Sequence, residues 1–136
     1  PLDASRDVSM NHIMFGEINA WYYKALGGIF PDEKQPGFKN VVLKPHFVEG
    51  LSQFEASYDG PYGTIVSSWE KNRNYVEYRV SIPANSTATL SLPGHEILEN
   101  EKPLEDNQLI KAVEQQQQES VLQLQAGDYR FTIKKN

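Results

Sequence analysis

Near residue 40 the spacing of apolar residues changes from steps of three and four to steps of two, so this chain must hold two kinds of element. Upstream, Met10, Met14, Ile18, Trp21, Ala25 and Ile29 recur at helical intervals. The spacing predicts a helix from Ser9 to about Gly28. Ser9 suits an N-cap, and Gly27-Gly28 with Pro31 just beyond supply a stop, since glycine accepts the left-handed C′ conformation and proline cannot continue the ladder. Ile13, Phe15, Tyr22, Tyr23 and Leu26 widen the apolar stripe over most of the circumference. A helix of that kind is normally buried between other helices, and the sequence contains no second convincing one to cover it.

Phe30 to Lys39, with Pro31, Asp32, Pro36 and Gly37, reads as a linker loop. Beyond it, four segments alternate with period two: Phe54, Ala56 and Tyr58; Val76, Tyr78, Val80 and Ile82; Ala88, Leu90 and Leu92; and Tyr129, Phe131 and Ile133. Each predicts a strand with one buried face. Val41 to Leu43, Ile65 to Trp69 and Val121 to Leu124 add three less regular ones. Turn residues separate them at Asp59-Gly60-Pro61, Asn72-Arg73-Asn74, Pro83-Ala84-Asn85, Pro93-Gly94 and Gly127-Asp128. Between Glu96 and Glu119 the chain is polar and weakly patterned, with short strand pieces expected around Ile97 and Leu109. The expected fold is therefore mainly β. Residues 40–136 form an antiparallel β-sandwich, preceded by a helix and linker in residues 1–39.

Composition narrows the function by exclusion. Lys plus Arg number 13 against 18 Asp plus Glu, a net charge of -5, and no basic cluster occurs. A phosphate-binding surface, and with it nucleic acid as a partner, is not expected. There is no cysteine, hence no disulfide framework or thiolate metal site, and the redox compartment stays open. The apolar stretches fall short of a membrane span and residues 1–6 are not a signal peptide, so no membrane association is expected and localisation is undecided. The chain starts at Pro1 with helical patterning almost at once, which leads us to expect a piece of a longer protein.

Motifs for bound cofactors are missing from the sequence: there is no Walker loop, no G-x-G-x-x-G and no G-x-S-x-G elbow. His12, His46 and His95 lie far apart and none forms a ligand-spaced pair, so neither metal nor cofactor is expected. Glu17 is the one carboxylate within a strongly apolar helix, and reads as a surface or salt-bridge residue. His12 lies beside Asn11 in the first turn of that helix, where helix ends of bundles and barrels face clefts. On local pattern alone it reads as a capping or structural histidine. Trp21, Tyr22, Tyr23 and Trp69 fit packing better than sugar stacking, whereas Tyr62 and Tyr75, near turns, are the candidates for exposed aromatics.

Several ordered motifs resemble a known family. Ser9-Met10-Asn11-His12-Ile13-Met14-Phe15-Gly16 followed by Trp21-Tyr22-Tyr23 resembles the S-x-N-H-x-x-F-G segment of bacterial α-L-rhamnosidases, glycoside hydrolase family 78. Pro36-Gly37-Phe38-Lys39, Val42-Leu43-Lys44-Pro45, Ala56 to Ile65, Trp69 and Ile82 to Thr89 resemble that family's C-terminal signatures in order, and Gly127 to Phe131 its close. The resemblance implies that Ser9 to Gly28 is the last helix of a truncated (α/α)6 barrel that hands over to a C-terminal sandwich. It also implies that the two catalytic carboxylates of an inverting hydrolysis lie upstream of Pro1, and that His12 lines a rhamnose pocket, reversing its local reading. The parent is then expected to cleave terminal α-L-rhamnose from a glycan or glycoside. The piece alone, with no catalytic residue, is expected to be inactive, its sandwich buttressing the barrel. A helix stripped of its barrel is expected to pack on the sandwich, pair with another copy or be poorly ordered. The rival reading is a carbohydrate-binding sandwich module without catalytic activity. That module should show Tyr62, Tyr75 or a tryptophan aligned on one exposed face.

Overall fold

The computed structural model describes residues 27–32, 34, 39–94, 96–116 and 118–135. Among them run eleven strands: β1 (Ile29–Pro31), β2 (Asn40–Leu43), β3 (Gln53–Gly60), β4 (Gly63–Lys71), β5 (Tyr75–Ile82), β6 (Thr87–Pro93), β7 (Ile97–Glu99), β8 (Lys102–Pro103), β9 (Ile110–Gln116), β10 (Glu119–Leu124) and β11 (Gly127–Lys134). They form a five-stranded sheet, β1-β2-β6-β10-β9, and a six-stranded sheet, β3-β4-β5-β11-β7-β8. The expected helix Ser9 to Gly28 lies outside the described residues except for its last two positions.

Alternation in the sequence becomes alternation of burial. Val76, Tyr78, Val80 and Ile82 of β5 point inward, as do Tyr129, Phe131 and Ile133 of β11, and the two strands pair antiparallel from Tyr75↔Lys134 to Ile82↔Gly127. Ala88, Leu90 and Leu92 of β6 meet them from the other sheet in one continuous core. Phe131, with no exposed surface, contributes about 2–3 kcal/mol by burial alone. β3 follows its expected pattern through Phe54 and Ala56, but Tyr58 beyond them, near the hairpin end of the strand, is 40% exposed.

Three departures from expectation have physical causes. Ile29–Pro31, read as the end of the helix and the start of a linker, is an edge strand paired with β2 (Phe30↔Val42), where a proline is tolerated because its missing N–H faces away from any partner strand. Three residues are too few to show a period. β9, expected only as a short piece around Leu109, runs through much of the polar stretch before Glu119; it pairs with β10 with a register shift opposite Val121/Leu122, and at its start Ile110 is buried while Lys111 and Ala112 are exposed. Finally, the sandwich is not wholly antiparallel. β2 runs parallel to β6, from Asn40↔Thr87 to Leu43↔Leu90. A parallel pair needs a long crossover, here supplied by β3 to β5 in the opposite sheet.

That parallel pair carries a buried polar network. Asn40 is only 4% exposed, and its side-chain amide donates to Asp32 Oδ2 (2.9 Å) and Thr89 Oγ1 (3.2 Å). Its Oδ1 accepts from Thr87 Oγ1 (2.6 Å) and Gln123 Nε2 (3.1 Å), and Thr89 in turn donates to Gln123 Oε1 (2.8 Å). With both donors and both lone pairs of Asn40 used, one side chain links β2, β6, β10 and the residue after β1. A slip of β2 by one residue would aim this amide at the core, so the network fixes the register.

Candidate functional site at the chain entry

The chain enters the sandwich through two glycines, and both are held tightly. Gly27 keeps helical backbone geometry and Gly28 has φ of 68°, the left-handed conformation in which helices commonly end. A Cβ at Gly27 would lie 2.5 Å from the Cβ of Ala56, and one at Gly28 only 2.2 Å from the carbonyl carbon of Lys44. Glycine is therefore required twice over, for the turn and for close approach.

Two carbonyls complete the attachment. Gly28 O accepts from the Lys44 backbone N–H (2.7 Å), continuing the β1–β2 pairing. Gly27 O accepts from the Ser67 hydroxyl (2.6 Å), and Ser67 Oγ lies 2.7 Å from the Tyr78 hydroxyl. With Ser67 donating to the carbonyl, Tyr78 donates to Ser67. Both side chains are fully buried. They come from the inward faces of β4 and β5, so a polar triad sits inside an otherwise apolar core. Burial pushes the Tyr78 phenol well above its ordinary range, opposed in part by its hydrogen bond with Ser67.

Aromatic rings surround this anchor. Phe47 meets Trp69 (5.5 Å) and Tyr78 (6.2 Å) edge to face, Phe54 lies 6.3 Å from Trp69, and Tyr78 stacks on Phe131 (6.4 Å). Lys71 holds the β2–β3 loop over them: its ammonium lies 5.7 Å from the Trp69 ring centroid and donates to the Val48 carbonyl. The seat beneath Gly27 is therefore rigid, built of packed rings and satisfied polar atoms.

The outward face of the six-stranded sheet is the other concave feature. A groove of about 320 Å³ runs over Gln53, Glu55, Ser68, Glu70, Glu77 and Arg79, and a neighbouring depression of about 600 Å³ reaches Asn100, Asp128 and Arg130. Arg79 and Arg130 face each other across β5 and β11. Glu77 relieves that like-charge opposition, pairing with Arg79 (2.7 Å) and lying 4.0 Å from Arg130. Its charge is thus employed in holding two arginines.

Of the candidates named from sequence, His12, Glu17, Trp21, Tyr22, Tyr23 and His95 lie outside the described residues. His46 is exposed on the loop after β2, and among the described residues no group of three His, Asp or Glu side chains is arranged to hold a metal. Trp69 is core, 2% exposed. Tyr62 and Tyr75 are exposed as expected, but Tyr62 occupies the β3–β4 turn and Tyr75 the start of β5, at opposite ends of a sheet that β4 crosses over about 27 Å. They do not align as a sugar platform. Ser67 escaped the sequence reading because a serine at an inward strand position carries no sign of its partner forty residues earlier; the one available signal was a hydroxyl within an apolar row, between Ile65 and Trp69.

Residues 28–105 match the family described as the bacterial alpha-L-rhamnosidase C-terminal domain. An alpha-L-rhamnosidase of Formosa agariphila is 27% identical over 129 residues, covering 93% of this chain and 14% of the relative, and one of Alteromonas sp. is 32% identical over 87 residues, covering 64% and 9%. Among solved structures, an alpha-L-rhamnosidase from Dictyoglumus thermophilum superposes with a TM-score of 0.75 at 27% identity, covering 92% of this chain and 14% of that one. One from Streptomyces avermitilis, complexed with L-rhamnose, gives a TM-score of 0.73 at 20% identity over 88% of this chain and 11% of that one, a likeness of fold. The chain thus spans about a seventh or less of the length of the curated relatives it matches.

Proposed function

The chain belongs to the family of bacterial α-L-rhamnosidase C-terminal domains, and on that premise we propose that it closes and supports the catalytic barrel of a glycoside hydrolase that removes terminal α-L-rhamnose. The observation that carries this reading is the entry at Gly27-Gly28. The chain is seated on the sandwich by the Gly27 and Gly28 carbonyls, the first bonded to the fully buried Ser67 and the second to the Lys44 backbone, which is how a rigid buttress rather than a tethered module would be joined. A tethered binding module needs a flexible linker and an exposed platform instead.

In this reading residues 1–39 are the end of the barrel and its connection, with residues 29–31 already paired into the sheet, and residues 40–136 are the sandwich. The two carboxylates that carry out inverting hydrolysis, one protonating the leaving oxygen and one activating water across the ring, belong to upstream segments. His12 donates a hydrogen bond to a sugar hydroxyl, which orients the ring and transfers no proton. This chain alone hydrolyses nothing.

The test is hydrolysis of an aryl α-L-rhamnoside by the intact protein and by this chain alone. Turnover is expected only from the intact protein, with inversion at the anomeric carbon followed by NMR. Turnover by the isolated chain, or none by an intact protein that is folded, would overturn the proposal.

A further inference from the structure

We infer that the groove on the outward face of the six-stranded sheet is a saccharide-binding site that takes a neutral stretch of a glycan chain; the choice of a saccharide rests on the hydrolase reading given above. The groove and the depression beside it are one feature, since Glu55, Ser68 and Arg79 line both. These three stand in a single row across the strands, Glu55↔Ser68 between β3 and β4 and Ser68↔Arg79 between β4 and β5. Serine is the smallest of them, so the floor drops between a carboxylate wall and a guanidinium wall two strand spacings, about 10 Å, apart. Arg79 is already oriented. Its Nε donates to Glu77 (2.7 Å), while its two terminal amino groups make no hydrogen bond or ion pair among the described residues, and the side chain is 62% exposed. A guanidinium fixed in this way offers a rigid fork of donors that grips two neighbouring oxygens at once.

A face built for stability alone would set unlike charges against each other across the strands. This one sets Glu70 opposite Glu77 and Arg79 opposite Arg130. The lining also decides the chemistry of the ligand. Carboxylates outnumber guanidiniums along it, with Glu55, Glu70, Glu77 and Asp128 against Arg79 and Arg130, so a polyanion is repelled. Carboxylates accept, guanidiniums donate and serine does both, which matches a chain of hydroxyls that are donors and acceptors alike. Phe54 and Trp69 reach the groove from below but are buried, only 2% exposed each, and present no ring for stacking. Binding therefore depends on hydrogen bonds, with Arg79 at the junction of the two depressions as the central donor.

The experiment uses the intact enzyme, an aryl α-L-rhamnoside and a neutral polysaccharide bearing α-L-rhamnosyl ends. Arg79→Ala should raise KM for the polysaccharide about fivefold, the loss of about one hydrogen bond, with KM for the aryl glycoside and both kcat values within about twofold. Ser68→Gln, which fills the floor and leaves every charge in place, should do the same. Tyr62→Ala, at an exposed ring outside the groove, is the control and should change neither KM. Electrophoresis through gels cast with the polysaccharide reads binding without turnover: the parent should be retarded and Arg79→Ala less so, while gels cast with dextran sulfate should retard neither. The inference is overturned if either folded variant keeps the parent KM and mobility, if Tyr62→Ala raises KM equally, or if dextran sulfate retards the parent more than the neutral polysaccharide does. An intact protein that is retarded through Arg79 yet hydrolyses no rhamnoside would instead remove the hydrolase reading and leave the groove in place.

Discussion

Replacing Asn40 by alanine should destabilise the sandwich by about 2–3 kcal/mol. The side chain makes four hydrogen bonds, at 2.9, 3.2, 2.6 and 3.1 Å. A typical bond contributes a net of about 1 kcal/mol. Summed naively that gives about 4 kcal/mol, but Thr87, Thr89 and Gln123 are only half-buried, so water recovers part of the loss, while Thr89 and Gln123 keep the bond they make to each other. For a domain of this size the change corresponds to a fall in Tm of roughly 10 °C. Urea unfolding followed by fluorescence and circular dichroism would measure it. Asn40→Asp should be worse than alanine at neutral pH, because it sets a second carboxylate against Asp32 where a donor now stands, and should partly recover in acid. Gln123→Ala combined with Asn40→Ala should cost less than the sum of the two single changes, since they share a bond. A loss under about 0.5 kcal/mol, or strict additivity, would refute the claim that this amide ties the sheet together.

Gly28→Ala should leave little soluble protein, as it meets both a left-handed φ of 68° and the Lys44 backbone, a combination that measured expression and thermal melts would expose. The Asn40 amide, and then the Lys34 backbone N–H, hold the Asp32 carboxyl below its ordinary 3.8. Its folded-state value being depressed, the stability it confers is present above about pH 4 and lost as pH falls through the folded value; Asp32→Asn should flatten the acid limb of a stability–pH curve. At the alkaline end, burial and then the charge of Glu99 push the Tyr129 phenol up to about 12, and Tyr78 is raised further. Phenols with raised folded values contribute stability that is fully present below their unfolded value of 10 and is lost as pH rises from there through the folded value, so Tyr78→Phe should weaken the alkaline unfolding of this chain, read by absorbance at 295 nm.

Strands β3, β5, β6 and β11 were legible because each buries one face against a facing sheet, and period-two patterning records that. The three-residue β1 was not, being too short to show a period, and β9 was foreseen only as a short piece around Leu109, since hydrogen bonds to a neighbouring strand leave no mark on side-chain order. Asn100 and Glu101 show the same limit: both take positive φ (52° and 65°) in the two-residue turn between β7 and β8, a conformation common for asparagine but uncommon for glutamate. Gly27-Gly28 could be read as a helix stop from local chemistry. Their second reason, contact with Ala56 and Lys44, depended on which strands fold back on them. Likewise the exposure of Tyr62 and Tyr75 followed from their turns, while their separation followed from strand length and order.

The partners of the entry anchor and of the Asn40 network are far apart along the chain. Ser67 lies 40 residues after Gly27, and Gln123 lies 83 residues after Asn40. On a ribosome adding about 5–20 residues per second, whatever precedes Gly27 waits several seconds before its seat is made, and the register of β2 is not secured until nearly the last strand has emerged. A stop codon or proteolytic cut that removed only the final two strands would therefore unsettle the five-stranded sheet at its start, far from the lesion. Completion of the C-terminal end becomes a checkpoint for the segment synthesised before it.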